Sequence, residues 1–198
     1  MIKNELDLAR ILKGRMASTF REVFVNVNLS SNAFYPYWKR WHGEPLPSAQ
    51  PQIDILLVDS GLNLLGVELK YFRRTKQGQI NLPFYAGIGE ALALLRFGFR
   101  TVSLWHFFDE QLDGEDYRRP YRNCELLIGH LQLPINYQAS RITGDSTELE
   151  FWRLYSEGKV QPKELPSAYG KANPFESGTN AQKIQDILRT VLKIPHPR

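Results

Sequence analysis

Residues 52–71 read QIDILLVDSGLNLLGVELKY, and the fold turns on how this stretch pairs with itself. Ile53, Ile55 and Leu57 alternate with Asp54, Leu56 and Val58, then Ser60 and Gly61 break the run, and residues 64–71 supply a second β-rich segment. A hairpin whose loop has an odd number of residues, with 59 pairing with 63 or 58 with 64, brings Asp54 directly opposite Glu68. Their Cβ atoms would then stand about 4.5–5.5 Å apart. Two carboxylates that close raise each other's pKa, and a half-buried sheet face holds them only with a compensating cation. A divalent ion is the simplest compensation. Oxygen donors suit Mg²⁺ or Mn²⁺, and no His or Cys stands nearby to favour zinc. Glu68 and Lys70 are two apart and share a face, which sets an amine beside the acids, able to orient a water or to stabilise charge developing on a phosphoryl group.

The plainer alternative is an exposed strand face on which Asp54, Glu68 and Lys70 form ordinary surface pairs. The surroundings weigh against it: a strand pattern precedes the acids, and an apolar helix and a further strand follow them. Asp54, thirteen intervening residues and then Glu68-Leu69-Lys70 at the end of an apolar strand resemble the PD-(D/E)xK metal-dependent nuclease superfamily over roughly residues 1–110. Ile53 precedes Asp54 and the nearest proline is Pro51, so the proline of the family motif is displaced. The resemblance implies an α/β protein with a restriction-endonuclease-like mixed central β-sheet in α-β-β-β-α-β order, flanked by helices and carrying C-terminal helical additions. The chain is expected to divide into a core over residues 1–135 and an extension over 136–198 packed on it. The resemblance further implies Mg²⁺ (or Mn²⁺) held by Asp54, Glu68 and the Leu69 carbonyl, with Lys70 positioning the attacking water. An acid from the first helix often joins such sites. Glu5 and Glu22 are the candidates, and Glu22 is preferred as nearer the sheet in sequence. The helix after the hairpin often adds a polar residue; Gln79, Tyr85 and Glu90 qualify, and Tyr85 is the choice.

Composition fits this without requiring it. At 198 residues, 42% apolar and 23% charged, the chain can bury one sizeable core and is not disordered. Twenty-five Lys and Arg against 21 Asp and Glu give +4, a mild basic excess compatible with a phosphate-backbone partner. The single Cys124 rules out an intramolecular disulfide or a cysteine-rich metal cluster. Without an apolar signal core or a stretch long enough to span a bilayer, a cytoplasmic protein with no membrane partner is expected.

Taken in order, residues 3–16 place apolar side chains at three- and four-residue spacing, which predicts an amphipathic helix, and the valines at 23, 25 and 27 predict a strand. Residues 31–51 are aromatic, basic and proline-rich and read as irregular. Trp38, Trp41, Lys39 and Arg40 there suit either packing over an open core end or contact with bases and phosphates. Arg73, Arg74 and Lys76 follow Lys70 closely, where cations would hold a phosphodiester strand. Residues 82–97 predict a core helix in which Gly87 and Gly89 permit close approach to the sheet, each at about 1 kcal/mol. Residues 99–108 predict a strand and His106 a core histidine. Residues 109–123 read as a loop and 124–131 as a short strand, while 147–157 and 180–194 look helical, the second capped by Asn180.

The function expected is hydrolysis of a phosphodiester, more in DNA than in RNA. A homodimer is one form that such nucleases take. Two alternatives stand beside it: a catalytically inactive nuclease fold that binds nucleic acid or serves assembly, and a protein-interaction domain that uses the aromatic loop.

Overall fold

The computed structural model describes residues 2–39, 52–74, 77, 78, 83, 85–144, 149–154, 160, 161 and 165–197, with the side chains of 38, 39, 160 and 161 excepted. The elements run α1 (Glu5–Met16), β1 (Glu22–Asn28), α2 (Tyr35–Lys39), β2 (Gln52–Val58), β3 (Leu64–Phe72), α3 (Ile88–Leu95), β4 (Thr101–Phe108), α4 (Gly114–His130), β5 (Asn136–Thr143), β6 (Glu150–Leu154), β7 (Val160–Gln161) and α5 (Thr179–Leu192). All seven strands form one sheet in sequence order. The pairs β3–β4 and β4–β5 are parallel and the others antiparallel, so the sheet is mixed and helices flank it. This is the α/β architecture expected, and apart from the short α2 its first half follows the α-β-β-β-α-β order.

The β2–β3 register is the expected one: Ile55 pairs with Val67, Leu57 with Leu65 and Val58 with Leu64, while Asp59 N–H donates to the Asn63 carbonyl across the turn. Alternation then sorts the side chains by face. Ile55, Leu57, Leu65, Val67 and Leu69 join Leu8, Leu12 and Met16 of α1 in one core. Leu56, Val58, Leu64, Val102 and Leu104 join Leu94 and Leu95 of α3 and Ile184 and Leu188 of α5 in the other. The sheet is therefore buried on both faces, as parallel strands at its centre require.

Two glycines are set by contact. A Cβ on Gly66 would lie 2.4 Å from the Phe99 ring, and one on Gly87, at φ +82, would lie 2.6 Å from Leu104. Gly89 has nothing within 4 Å, so the expected close approach belongs to Gly87 alone.

Several sequence expectations fail locally. Residues 124–131 belong to α4, whose start lies inside the expected loop: the Asp113 side chain accepts from the Asp116 backbone while the Asp116 side chain accepts from the Asp113 backbone, a capping box built with two aspartates. Pro120 stands within this helix. Residues 150–154 form β6, against the helix expected over 147–157. Among the described residues the helix expected over 82–97 spans Ile88–Leu95, and the irregular stretch after Ser31 contains α2. The last helix begins one residue before Asn180, with Gly178 as its cap. Residues 136–161 supply three strands to the common sheet and α5 packs on it, so the C-terminal additions include strands as well as the expected helix. Among the described residues no helix is long and apolar enough to cross a membrane.

Candidate active site

The site lies where β2 parts from its neighbours. Pairing of β2 with β3 ends at Ile55 and Val67, and pairing with β1 skips one position, between Val25–Ile55 and Val27–Ile53. That position is Asn26 opposite Asp54, and Asn26 takes a left-handed φ of 57, which Asn tolerates better than most residues. Asp54 thus leaves the ladder and reaches across the fork, where its Oδ2 accepts from Leu69 N–H at 2.9 Å. One alternation further along β3, Tyr71 N–H donates to Glu5 Oε1 at 3.3 Å. Two carboxylates thereby replace the strand that β3 has lost. The Leu69 carbonyl points to the same side as its N–H, into the fork.

Glu68, on the face toward α3, is only 2% exposed, and its Oε1 lies 2.6 Å from Lys70 Nζ. Lys70 Nζ lies 3.7 Å from Glu90 Oε1, across from the first turn of α3. Burial, and next the charge of Asp54, push the Glu68 carboxyl up to about 8. Burial likewise raises Asp54, with Glu5 adding to the shift while the Leu69 hydrogen bond and Lys70 oppose it. Burial would lower Lys70, but the Glu68 hydrogen bond and charge hold it above its ordinary value. Four carboxylates therefore surround one ammonium, and the two most deeply placed acids share their excess charge with a proton unless a cation replaces it.

A hard divalent ion fits this donor set. Mg²⁺ commonly binds through one or two carboxylates and keeps several waters, so Asp54, Glu68 and the Leu69 carbonyl suffice for it. Among the described residues no three His, Cys, Asp or Glu side chains converge as a metal cage.

Asp54, Glu68 and Lys70 are brought together as their spacing suggested. The helix acid is not Glu22. Glu22 pairs with Val58, at the opposite end of β2 from Asp54, and Glu5 stands at the fork instead. Sequence distance to the sheet misled here, because α1 runs back across the sheet and returns its N-terminus to β3. Of the residues offered for the helix after the hairpin, Glu90 meets Lys70; Tyr85 is 61% exposed at the foot of α3, and Gln79 lies outside the described residues. Arg73 lines the pocket beside Asp54, whereas Arg74 is committed elsewhere, to Asp116 Oδ2 at 2.7 Å and to the Gln111 carbonyl at 3.2 Å. Lys76, Arg40 and Trp41 lie outside the described residues, as do the side chains of Trp38 and Lys39. His106 is a core histidine, with Nε2 donating to the Ala86 carbonyl and Nδ1 accepting from the Tyr137 hydroxyl; burial depresses it to about 4.

A pocket of about 410 Å³ opens on the α1 side of the fork, with Asp54 in its wall. Lys3 contributes to it, a residue without any sequence signal beyond its charge.

No protein-family model matches the chain, and no curated protein matches it. Among solved structures the chain is similar to SfsA of Pyrococcus furiosus, determined in complex with Ca²⁺, at 18% identity and a TM-score of 0.32. The similarity covers 62% of this chain and 54% of that one, so the chain spans about half of the SfsA structure. The chemistry of the site rests on this chain's own residues.

Proposed function

We propose that the protein is a metal-dependent nuclease of the PD-(D/E)xK type that hydrolyses a phosphodiester bond in DNA. The observation that carries this reading is the pair of adjacent acids, Asp54 and the buried Glu68, at a fork in the sheet with one amine to balance them. Asp54, Glu68 and the Leu69 carbonyl would hold Mg²⁺ or Mn²⁺, and Glu5 would reach it through water. The ion, when bound, supplies Lewis-acid charge and lowers the pKa of a bound water. Lys70, held charged by Glu68, places its ammonium where it orients the attacking water and meets the charge developing on the phosphoryl oxygens. Arg73 and Lys3 offer exposed cations beside Asp54 for the neighbouring phosphates.

Purified protein should nick or degrade DNA with Mg²⁺ or Mn²⁺, and Asp54→Asn, Glu68→Gln and Lys70→Ala should each abolish the activity. Cleavage that survives all three substitutions removes the assignment.

One observation favours the second reading, a nuclease fold kept as an inactive nucleic-acid-binding module. Glu68 is already paired with Lys70 at 2.6 Å, so the charge at that acid is half satisfied without a metal. Retained DNA affinity together with no Mn²⁺ binding would select this reading.

A further inference from the structure

The pocket at the fork has a composition that the metal site does not need. Its volume, about 410 Å³, sits at the small end of ligand pockets and takes one nucleotide, not a base pair. Leu6 and Ala9 of α1 form an apolar floor, and the Tyr71 ring stands beside them. The Tyr71 hydroxyl is tied to Asp109, which fixes the ring's orientation. Asn26 and Gln52 present exposed side-chain amides from β1 and β2, each with both donors and an acceptor. Lys3 and Arg73 stand as exposed cations in its lining.

An apolar floor with an aromatic wall suits a base, amides suit the polar edge of that base, and flanking cations suit its two phosphates. A duplex laid across the protein could offer phosphates to Lys3 and Arg73 but could not fill the floor. The pocket lies where β1 and β2 fail to pair, at Asn26 and Asp54, with Asn26 in the left-handed region. The same departure that frees Asp54 for the metal site thus opens the space beside it.

We propose that this pocket receives a single unpaired nucleotide, so that the substrate is a nucleic acid whose scissile phosphate adjoins an unstacked or extrahelical base. This rests on the nuclease reading for the position of the phosphate, since Asp54 belongs to both the pocket and the metal site. It adds the substrate class: single strands, flaps or bulged duplexes in preference to intact double helix.

The test is fluorescence anisotropy in EDTA with the full chain, using labelled duplexes of equal length and sequence, one fully paired and one carrying a single bulged nucleotide. The bulged duplex should bind at least about tenfold more tightly, because the unpaired base has already lost its stacking. Leu6→Trp, which fills the floor, should erase that preference, and so should Asn26→Gly combined with Gln52→Ala, which removes both amides while glycine tolerates the left-handed backbone at position 26. Circular dichroism and a cooperative unfolding transition establish that each variant is folded; should Leu6→Trp fail to fold, the double variant decides. Equal affinity for the two duplexes, or a preference untouched by the folded variants, overturns the proposal. Because binding is read without metal, this outcome is separate from the nuclease reading. That reading falls instead if wild-type protein neither binds Mn²⁺ nor cleaves either duplex.

Discussion

Asp54→Asn should make the metal-free protein more stable at alkaline pH while destroying its activity. Asn keeps an oxygen that can accept from Leu69 N–H, so the hydrogen bond that holds the fork survives and only the charge goes. What remains is Glu68 paired with Lys70 at 2.6 Å, without a second acid pressing on it. Two unit charges about 4–5 Å apart at an effective dielectric near 20 interact by roughly 3–4 kcal/mol. A shared proton relieves part of this in the wild type, so a gain of about 1–3 kcal/mol is expected once that proton has left. The sign follows from linkage. Glu68 is raised from 4.5 to about 8 in the fold, so its contribution is fully present below 4.5 and is lost as pH rises through about 8. Asp54 is shifted in the same direction. Wild-type protein in EDTA should therefore lose stability between about pH 5 and pH 9, and the variant should lose less. Urea unfolding of both proteins across this range, followed by circular dichroism, measures the difference. If the gap between variant and wild type is the same at both ends, or if the variant is the less stable at pH 9, the two acids do not repel each other and the electrostatic account of the site is wrong.

Other consequences follow from the same geometry. Glu5→Gln should lower cleavage by about tenfold or more, as loss of an outer-sphere partner does, while Glu22→Gln should leave it unchanged; matched effects would cancel the assignment of the helix acid to Glu5. Gly87→Ala sets a methyl 3.2 Å from Glu68 Cγ and 3.2 Å from Lys70 Cε at a backbone φ of +82, so it should cost about 1–3 kcal/mol in urea unfolding and disturb activity with it. Arg73→Ala should reduce the salt dependence of DNA binding by about one charge, whereas Arg74→Ala should change it little and act on stability through Asp116; competition binding at several salt concentrations separates the two.

The centre of this molecule is legible in its sequence because it is made by local pairing. Strand alternation and a short turn fix the β2–β3 register, which carries Asp54 to the end of the ladder beside Glu68 and puts Glu68 and Lys70 on one face; Asp54 itself leaves the ladder there, which the pattern does not show. Residues 124–131 were deceptive for the opposite reason. Their apolar run is as short as a strand's, and Pro120 just before it discourages a helix, whereas the helix is nucleated seven residues before that proline by the Asp113–Asp116 box. Glu5 could not be distinguished from Glu22 by sequence. Which of them reaches β3 depends on where α1 crosses the sheet, a matter of tertiary packing between residues 66 positions apart. The pocket is equally non-local, since its walls come from α1 and three strands. Arg74 shows the converse: the cluster 73–76 reads as a uniform basic patch, but one of its members is consumed by an ion pair with α4.

On the proposed function, a divalent ion bound by Asp54 and Glu68 displaces the proton that their raised pKa values favour. Calorimetric titration with Mn²⁺ near neutral pH, repeated in two buffers of different ionisation enthalpy, reads that exchange directly, because metal binding to such a pair must release protons. The account predicts a saturable heat whose size changes with the buffer in the sense of proton release, absent in Asp54→Asn and in Glu68→Gln. No saturable heat, or binding that releases no proton and survives both substitutions, would contradict it.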